Sequence, residues 1–123
     1  VHVLRDPTRG GVATTLKEIA IQSGVGMVLH ELALPLRREV QGVCAILGLD
    51  PLYVANEGKL LAVVAPDAAE QALELLKAHP LGRDAAIIGE VVGESAGRVE
   101  LETSVGGRRG VEMLAGEQLP RIC

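Results

Sequence analysis

Apolar residues recur at helical spacing early in the chain, at Val12, Leu16, Ile19 and Ala20, and Gly24 supplies a stop. The spacing predicts a helix running straight out of the polar turn Asp6-Pro7-Thr8-Arg9-Gly10-Gly11. Gly26 to Leu32 reads as a strand, with Met27 and Leu29 on one face and Val28 and Leu32 on the other. A second helix is expected after Pro35, a residue favoured at a first helical position. Its apolar stripe is Leu36, Val40, Val43, Cys44 and Leu47, and Gly48 ends it. Residues 49–58 read as a loop. Leu60-Leu61-Ala62-Val63-Val64-Ala65 is a short apolar run of the kind found in strands buried on both faces. Pro66-Asp67 then starts a third helix, with Asp67 as N-cap and Glu70 at capping-box spacing. Ala69, Ala72, Leu73 and Leu76 form its expected buried stripe, and Pro80 closes it.

The last third reads as strand. Ala86 to Val92 is one candidate, and Gly89 within it predicts a bulge or a close backbone approach. From Arg98 to Thr103 the chain alternates, with Val99, Leu101 and Thr103 on one face and Arg98, Glu100 and Glu102 on the other. Gly106-Gly107 is a two-residue hairpin signal that returns the chain through Arg108 to Leu114. Helices interleaved with strands, followed by hairpin strands, predict an α+β domain around a mixed sheet.

Composition narrows the function. At 123 residues the chain has room for one domain, and its core must be aliphatic because Tyr53 is the sole aromatic residue. A net charge of −4 and the lack of stacking side chains argue against a nucleic-acid partner. No apolar run is long enough for a membrane span, and the opening Val1-His2-Val3-Leu4-Arg5-Asp6 has no signal-peptide pattern. A start of this kind reads like the middle of a protein, so a fragment is expected. Cys44 and Cys123 are too few for a disulfide framework, and a reducing, cytoplasmic setting is expected.

Chemistry has three candidate places. In Asp6–Gly11, two glycines at a helix start let backbone N–H groups approach an anion, and Arg9 offers a guanidinium for phosphate or carboxylate. The plainer alternative is a tight turn in which Asp6 or Thr8 caps the helix. In Asn56-Glu57-Gly58-Lys59, a carboxylate beside an amide suits a general base and an orienting group; a solvated turn is the alternative. At the end, Pro120-Arg121-Ile122-Cys123 places a thiol on an extended arm that from Gly116 spans on the order of 23 Å. A tail that happens to end in cysteine is the alternative. Cys44 lies on an apolar stripe and reads as core, while His2, His30 and His79 show no metal-ligand spacing.

Together, Asp6-Pro7-Thr8-Arg9-Gly10-Gly11-Val12-Ala13, Tyr53-Val54-Ala55-Asn56-Glu57-Gly58-Lys59 and the terminal Pro-Arg-Ile-Cys resemble the C-terminal half of the HypE family of hydrogenase maturation proteins. That family sits within the aminoimidazole ribonucleotide synthetase and selenophosphate synthetase superfamily. The resemblance covers essentially the whole chain, and the terminal cysteine motif is its specific part. It implies a three-layer α/β/α companion domain with a mixed sheet, partly ferredoxin-like, over residues 1–116. Residues 117–123 are then a flexible carrier tail ending in Cys123, and the N-terminal ATP-binding domain is absent.

The implied activity of the whole protein is an ATP-dependent carbamoyl dehydratase. A carbamoyltransferase, HypF, loads Cys123. ATP activates the amide oxygen, and the resulting thiocyanate yields cyanide for iron of a [NiFe]-hydrogenase on a HypC–HypD scaffold. The resemblance makes Glu57 the candidate proton acceptor, and its place before a buried strand predicts partial burial that would favour this role. The resemblance also implies that Asp6, Thr8, Arg9, Gly10, Gly11 and Asn56 line the cleft toward the nucleotide. ATP and Mg²⁺ are expected to be held mainly by the missing domain, with no cofactor in this chain alone and a homodimer when full length. The competing readings are a companion domain of a selenophosphate or aminoimidazole ribonucleotide synthetase, and a non-enzymatic dimerisation module.

Overall fold

A strand of three residues, β1 (Val3–Arg5), leads through the turn into helix α1 (Gly11–Ser23). The structure is a computed structural model that describes residues 1–113. Helix α1 ends where the sequence predicts, at Gly24, whose N–H reaches the carbonyls of Ala20 and Ile21 from a left-handed conformation with φ of 65°. Strand β2 (Gly26–His30) follows. It stops two residues short of Leu32 because Glu31–Ala33 wind into a 3₁₀ turn, which leaves Leu32 83% exposed.

Strand β2 is the hub of the main sheet. β4 (Gly89–Val92) pairs with it antiparallel, β5 (Val99–Glu102) pairs with it parallel, and β6 (Arg108–Gly110) pairs antiparallel with β5. The order is β4-β2-β5-β6, the mixed sheet that the α+β reading expects. A separate two-stranded sheet joins β1 to β3 (Leu61–Val63), with Leu4 opposite Ala62. Met27 and Leu29 of β2 share a core with Val99 and Leu101 of β5 and with Ala13, Leu16, Ile19 and Ala20 of α1. Leu52 and Val111 complete that core. The intervening sheet positions carry polar chemistry. His30 lies between Glu90 at 4.0 Å and Glu102 at 3.7 Å, and Arg108 spans Glu100 at 3.5 Å and Glu102 at 3.6 Å.

Elsewhere the structure corrects the sequence-based expectations. Helix α2 (Arg38–Leu47) begins beyond Pro35, with Arg37 as its N-cap, and buries only Cys44. Val40, Val43 and Leu47 are 42%, 54% and 61% exposed. The helix meets the domain chiefly at the short turn Pro51–Tyr53, so among the described residues little covers the rest of its stripe. β3 is half-buried rather than enclosed, because among the described residues it pairs only with β1.

Before α3 (Ala69–Ala78), Pro66–Ala68 form a 3₁₀ turn and Ala68 takes the N-cap position. Asp67 therefore caps nothing, and Leu76 of the expected buried stripe is 40% exposed. β4 starts at Gly89, not Ala86, and the close approach expected there is present: a Cβ on Gly89 would run into the carbonyl oxygen of Val28. The β5–β6 hairpin closes through Ser104, Val105 and Gly106, a three-residue loop in place of the two-residue turn. Thr103 donates its N–H to Gly107 at 2.7 Å, and Gly106 donates to Thr103 at 3.0 Å with φ of 88°. Leu114 lies outside the described residues.

Candidate functional site

Two of the three sequence motifs meet. The turn before α1 is seated on buried Pro7, whose carbonyl accepts the main-chain N–H of Asn56 at 3.0 Å. The Asn56 side chain donates to Val54 at 3.0 Å, tightening the same loop. Its base is the turn Pro51–Tyr53, where Asp50 accepts the N–H of Leu52 at 3.0 Å and pairs with Arg109 at 2.9 Å. Gly11 permits the contact with α1. Its φ is 66°, and a Cβ there would lie 2.5 Å from the Leu52 oxygen and 2.6 Å from the Val54 oxygen.

The helix start is capped by neither Asp6 nor Thr8, against that alternative. Gly10 occupies the N-cap in the left-handed region, with no side-chain cap hydrogen bond. Thr15 instead donates to the carbonyl of Gly11 at 3.0 Å, a bond within the helix. The Thr14 hydroxyl is buried with no hydrogen-bond partner among the described residues, and a Cβ on Gly10 would collide with it. A backbone cradle without side-chain caps, beside an unsatisfied hydroxyl, fits a phosphate group. Among the described residues no group of three or more His, Cys, Asp or Glu could hold a metal ion by itself.

Asp6 and Arg9 are exposed, Thr8, Gly10 and Asn56 are half-buried, and Gly11 is buried. Glu57 is exposed, so the burial expected of it is not found; Gly58, Lys59 and Leu60 are exposed too, and β3 begins only at Leu61. The histidines do not converge: His30 sits among glutamates on the sheet, and His79 accepts the N–H of Leu81 within its own turn. Cys123, with Pro120, Arg121, Ile122 and the expected 117–123 tail, lies outside the described residues.

Sequence reasoning missed three contributors. Thr14 is one. The second is Tyr53, whose hydroxyl donates to the Glu112 carbonyl at 2.7 Å and accepts the Glu112 N–H at 3.0 Å. The third is Lys17, a buried residue of α1 whose ammonium lies 3.3 Å from the Glu112 carboxylate. A lone aromatic in an aliphatic protein was the available signal for Tyr53. For Lys17 the helical pattern carries none.

Residues 1–102 match the family described as AIR synthase related protein, C-terminal domain. The chain belongs to that family. Within it, this AIR synthase related domain is 58% identical over its whole length to the carbamoyl dehydratase HypE of Azotobacter vinelandii. It spans 36% of that relative's length. Among solved structures, it is similar to a hydrogenase maturation protein HypE in complex with ATP, with a TM-score of 0.90 and 52% identity over 99% of this chain and 38% of that one. It is also similar to a chain of a HypE–HypF complex, with a TM-score of 0.86 and 48% identity over 91% of this chain and 36% of that one. No described helix is long and apolar enough to cross a membrane.

Proposed function

We propose that this AIR synthase related domain is the C-terminal part of an ATP-dependent carbamoyl dehydratase that makes cyanide ligands for [NiFe]-hydrogenase. Residues 1–116 are its companion domain, and residues 117–123 are an arm that presents Cys123. The observation that carries the reading is the meeting of three segments: the 6–11 loop, the 50–57 loop and the start of the C-terminal segment at Glu112. From that start, residues 113–123 can span up to about 40 Å, enough for the Cys123 thiol to return to the loop bearing Glu57.

The chemistry follows from the bonds to be broken. A carbamoyl group on the Cys123 sulfur is an S–C(=O)–NH₂ unit, and its oxygen cannot leave unaided. Transfer of the ATP γ-phosphoryl to that oxygen gives S–C(OPO₃²⁻)=NH, with release of ADP and one N–H proton. Loss of the second N–H proton, as the C–O bond breaks, gives S–C≡N and inorganic phosphate. Glu57 accepts a proton from the nitrogen. Asn56, fixed through Pro7, holds the loop in register with the helix start. Gly10, Gly11 and Arg9 contact the phosphates, and Asp6 and Thr8 shape the turn that presents them.

The rest of the parent protein holds the nucleotide base and Mg²⁺. HypF is the carbamoyl donor, a HypC–HypD scaffold receives the cyanide, and the full-length protein is a cytoplasmic homodimer. The similarity to relatives that carry the names HypE and carbamoyl dehydratase supports this reading.

The test is peptide mass spectrometry on the full-length protein after incubation with its carbamoyltransferase, carbamoyl phosphate and ATP. The expected result is modification of Cys123, passing from carbamoyl to thiocyanate. An adduct on Cys44, which is only 6% exposed, or on no cysteine, overturns the proposal.

A further inference from the structure

We infer that Tyr53 is a positioning residue that fixes where the cysteine-bearing arm leaves the domain, and so keeps its end within reach of the Asn56–Glu57 loop. The inference rests on the carbamoyl dehydratase reading. Its basis is the pair of bonds between one phenol oxygen and the main chain of one residue: the hydroxyl donates to the Glu112 carbonyl at 2.7 Å and accepts the Glu112 N–H at 3.0 Å. A single donor or acceptor bond would leave that residue free to turn. Two bonds to the same residue set its place and its direction.

The surroundings make this an anchor. Tyr53 ends a turn held by the Asp50 carboxylate and pressed against Gly11, so the phenol projects from a rigid base. On the other side, Val111 is fully buried and donates its N–H to Val99 at 2.8 Å, tying the chain to β5. Lys17 of α1 reaches the Glu112 carboxylate at 3.3 Å. Helix, sheet and loop therefore converge on residue 112, and Met113 is already 46% exposed. The Tyr53 bonds lie at the surface, where water would satisfy the same groups, so burial does not compel them. Their effect is geometric. They join the loop that carries the proposed base directly to the start of the tether that carries the substrate.

Tethered reactions depend steeply on where the tether begins and on a correct near-attack geometry. In the full-length protein, Tyr53→Phe removes both bonds and keeps the ring. Dehydration of pre-carbamoylated Cys123 in a single turnover is expected to fall about tenfold. The deciding measurement is the distance distribution between nitroxides on Cys123 and on Lys59→Cys, in a background with other cysteines replaced. It should be narrower in the Tyr53 protein than in Tyr53→Phe. Glu112→Pro, which removes the N–H donor and leaves the phenol, should broaden it likewise and covers the case in which Tyr53→Phe fails to fold.

A distribution unchanged in the folded variants overturns the inference, whatever happens to the rate. If the unaltered protein never converts carbamoylated Cys123 to thiocyanate, the dehydratase reading fails, while the distances still decide whether Tyr53 anchors the arm.

Discussion

The main-chain N–H of Asn56 donates to the carbonyl oxygen of Pro7 at 3.0 Å, joining the loop ahead of β3 to the turn ahead of α1. Neither group belongs to a strand ladder, so this bond and the seating of Gly11 hold the two loops in register. Gly11→Ala therefore tests the site's frame. The new methyl would meet two carbonyl oxygens from a backbone conformation that alanine resists, and destabilisation of at least about 2 kcal/mol is expected. Urea unfolding of the 123-residue chain measures it. A loss below about 0.5 kcal/mol would show that the loops separate at no cost.

Glu57→Gln keeps the side chain's size and removes its basicity. In the full-length protein, Cys123 should still be carbamoylated, while thiocyanate formation slows by about 10²–10⁴-fold, the usual contribution of a positioned base. Mass spectrometry distinguishes the two products. Normal thiocyanate formation would make Glu57 a turn residue, and loss of both steps would point to binding or folding instead.

The exposed stripe of α2 makes a different forecast from the helical pattern alone. Val43 is 54% exposed, so Val43→Asn in the 123-residue chain should change stability by less than about 1 kcal/mol, against 2 or more for a buried valine. Thermal or urea melts decide. A large loss would mean that the stripe is covered in solution.

Nucleotide affinity should be low in this chain by itself. Gly10, Gly11 and the Thr14 hydroxyl offer phosphate contacts, but the described residues provide no metal-binding group. Calorimetric titration with Mg-ATP should give a Kd of about 1 mM or weaker. A micromolar value would place the whole nucleotide site within these residues.

What was legible in the sequence was whatever local pattern alone enforces. Helix α1 carries its stripe and its Gly24 stop within itself, and β5 alternates because one face is core and the other is charged. The helix start and the Asn56–Glu57 loop were both identifiable as motifs, but their contact was not, since a main-chain bond between distant loops leaves no trace in side-chain identity. The errors came from assuming that apolar means buried. Val40 and Leu47 follow a flawless helical stripe, yet burial depends on an opposing surface, and among the described residues α2 has little. Asp67 had the right type and spacing for a cap, but Pro66 set a 3₁₀ turn that moved the helix start beyond it. Glu57 was expected to share the burial of the strand ahead; the strand proved short, and its shelter does not extend back that far.

The wiring of the sheet also bears on how the protein is made. β2 is synthesised early, but both strands that flank it, β4 and β5, come from the last third of the chain. A polypeptide that stops before Val99 leaves Met27 and Leu29 without their parallel neighbour and has no buried Val111 to close the core. Cys123 is encoded after all of them. Any polypeptide that reaches residue 123 therefore also carries every strand described here, whereas one cut short before Val99 lacks the parallel neighbour of β2.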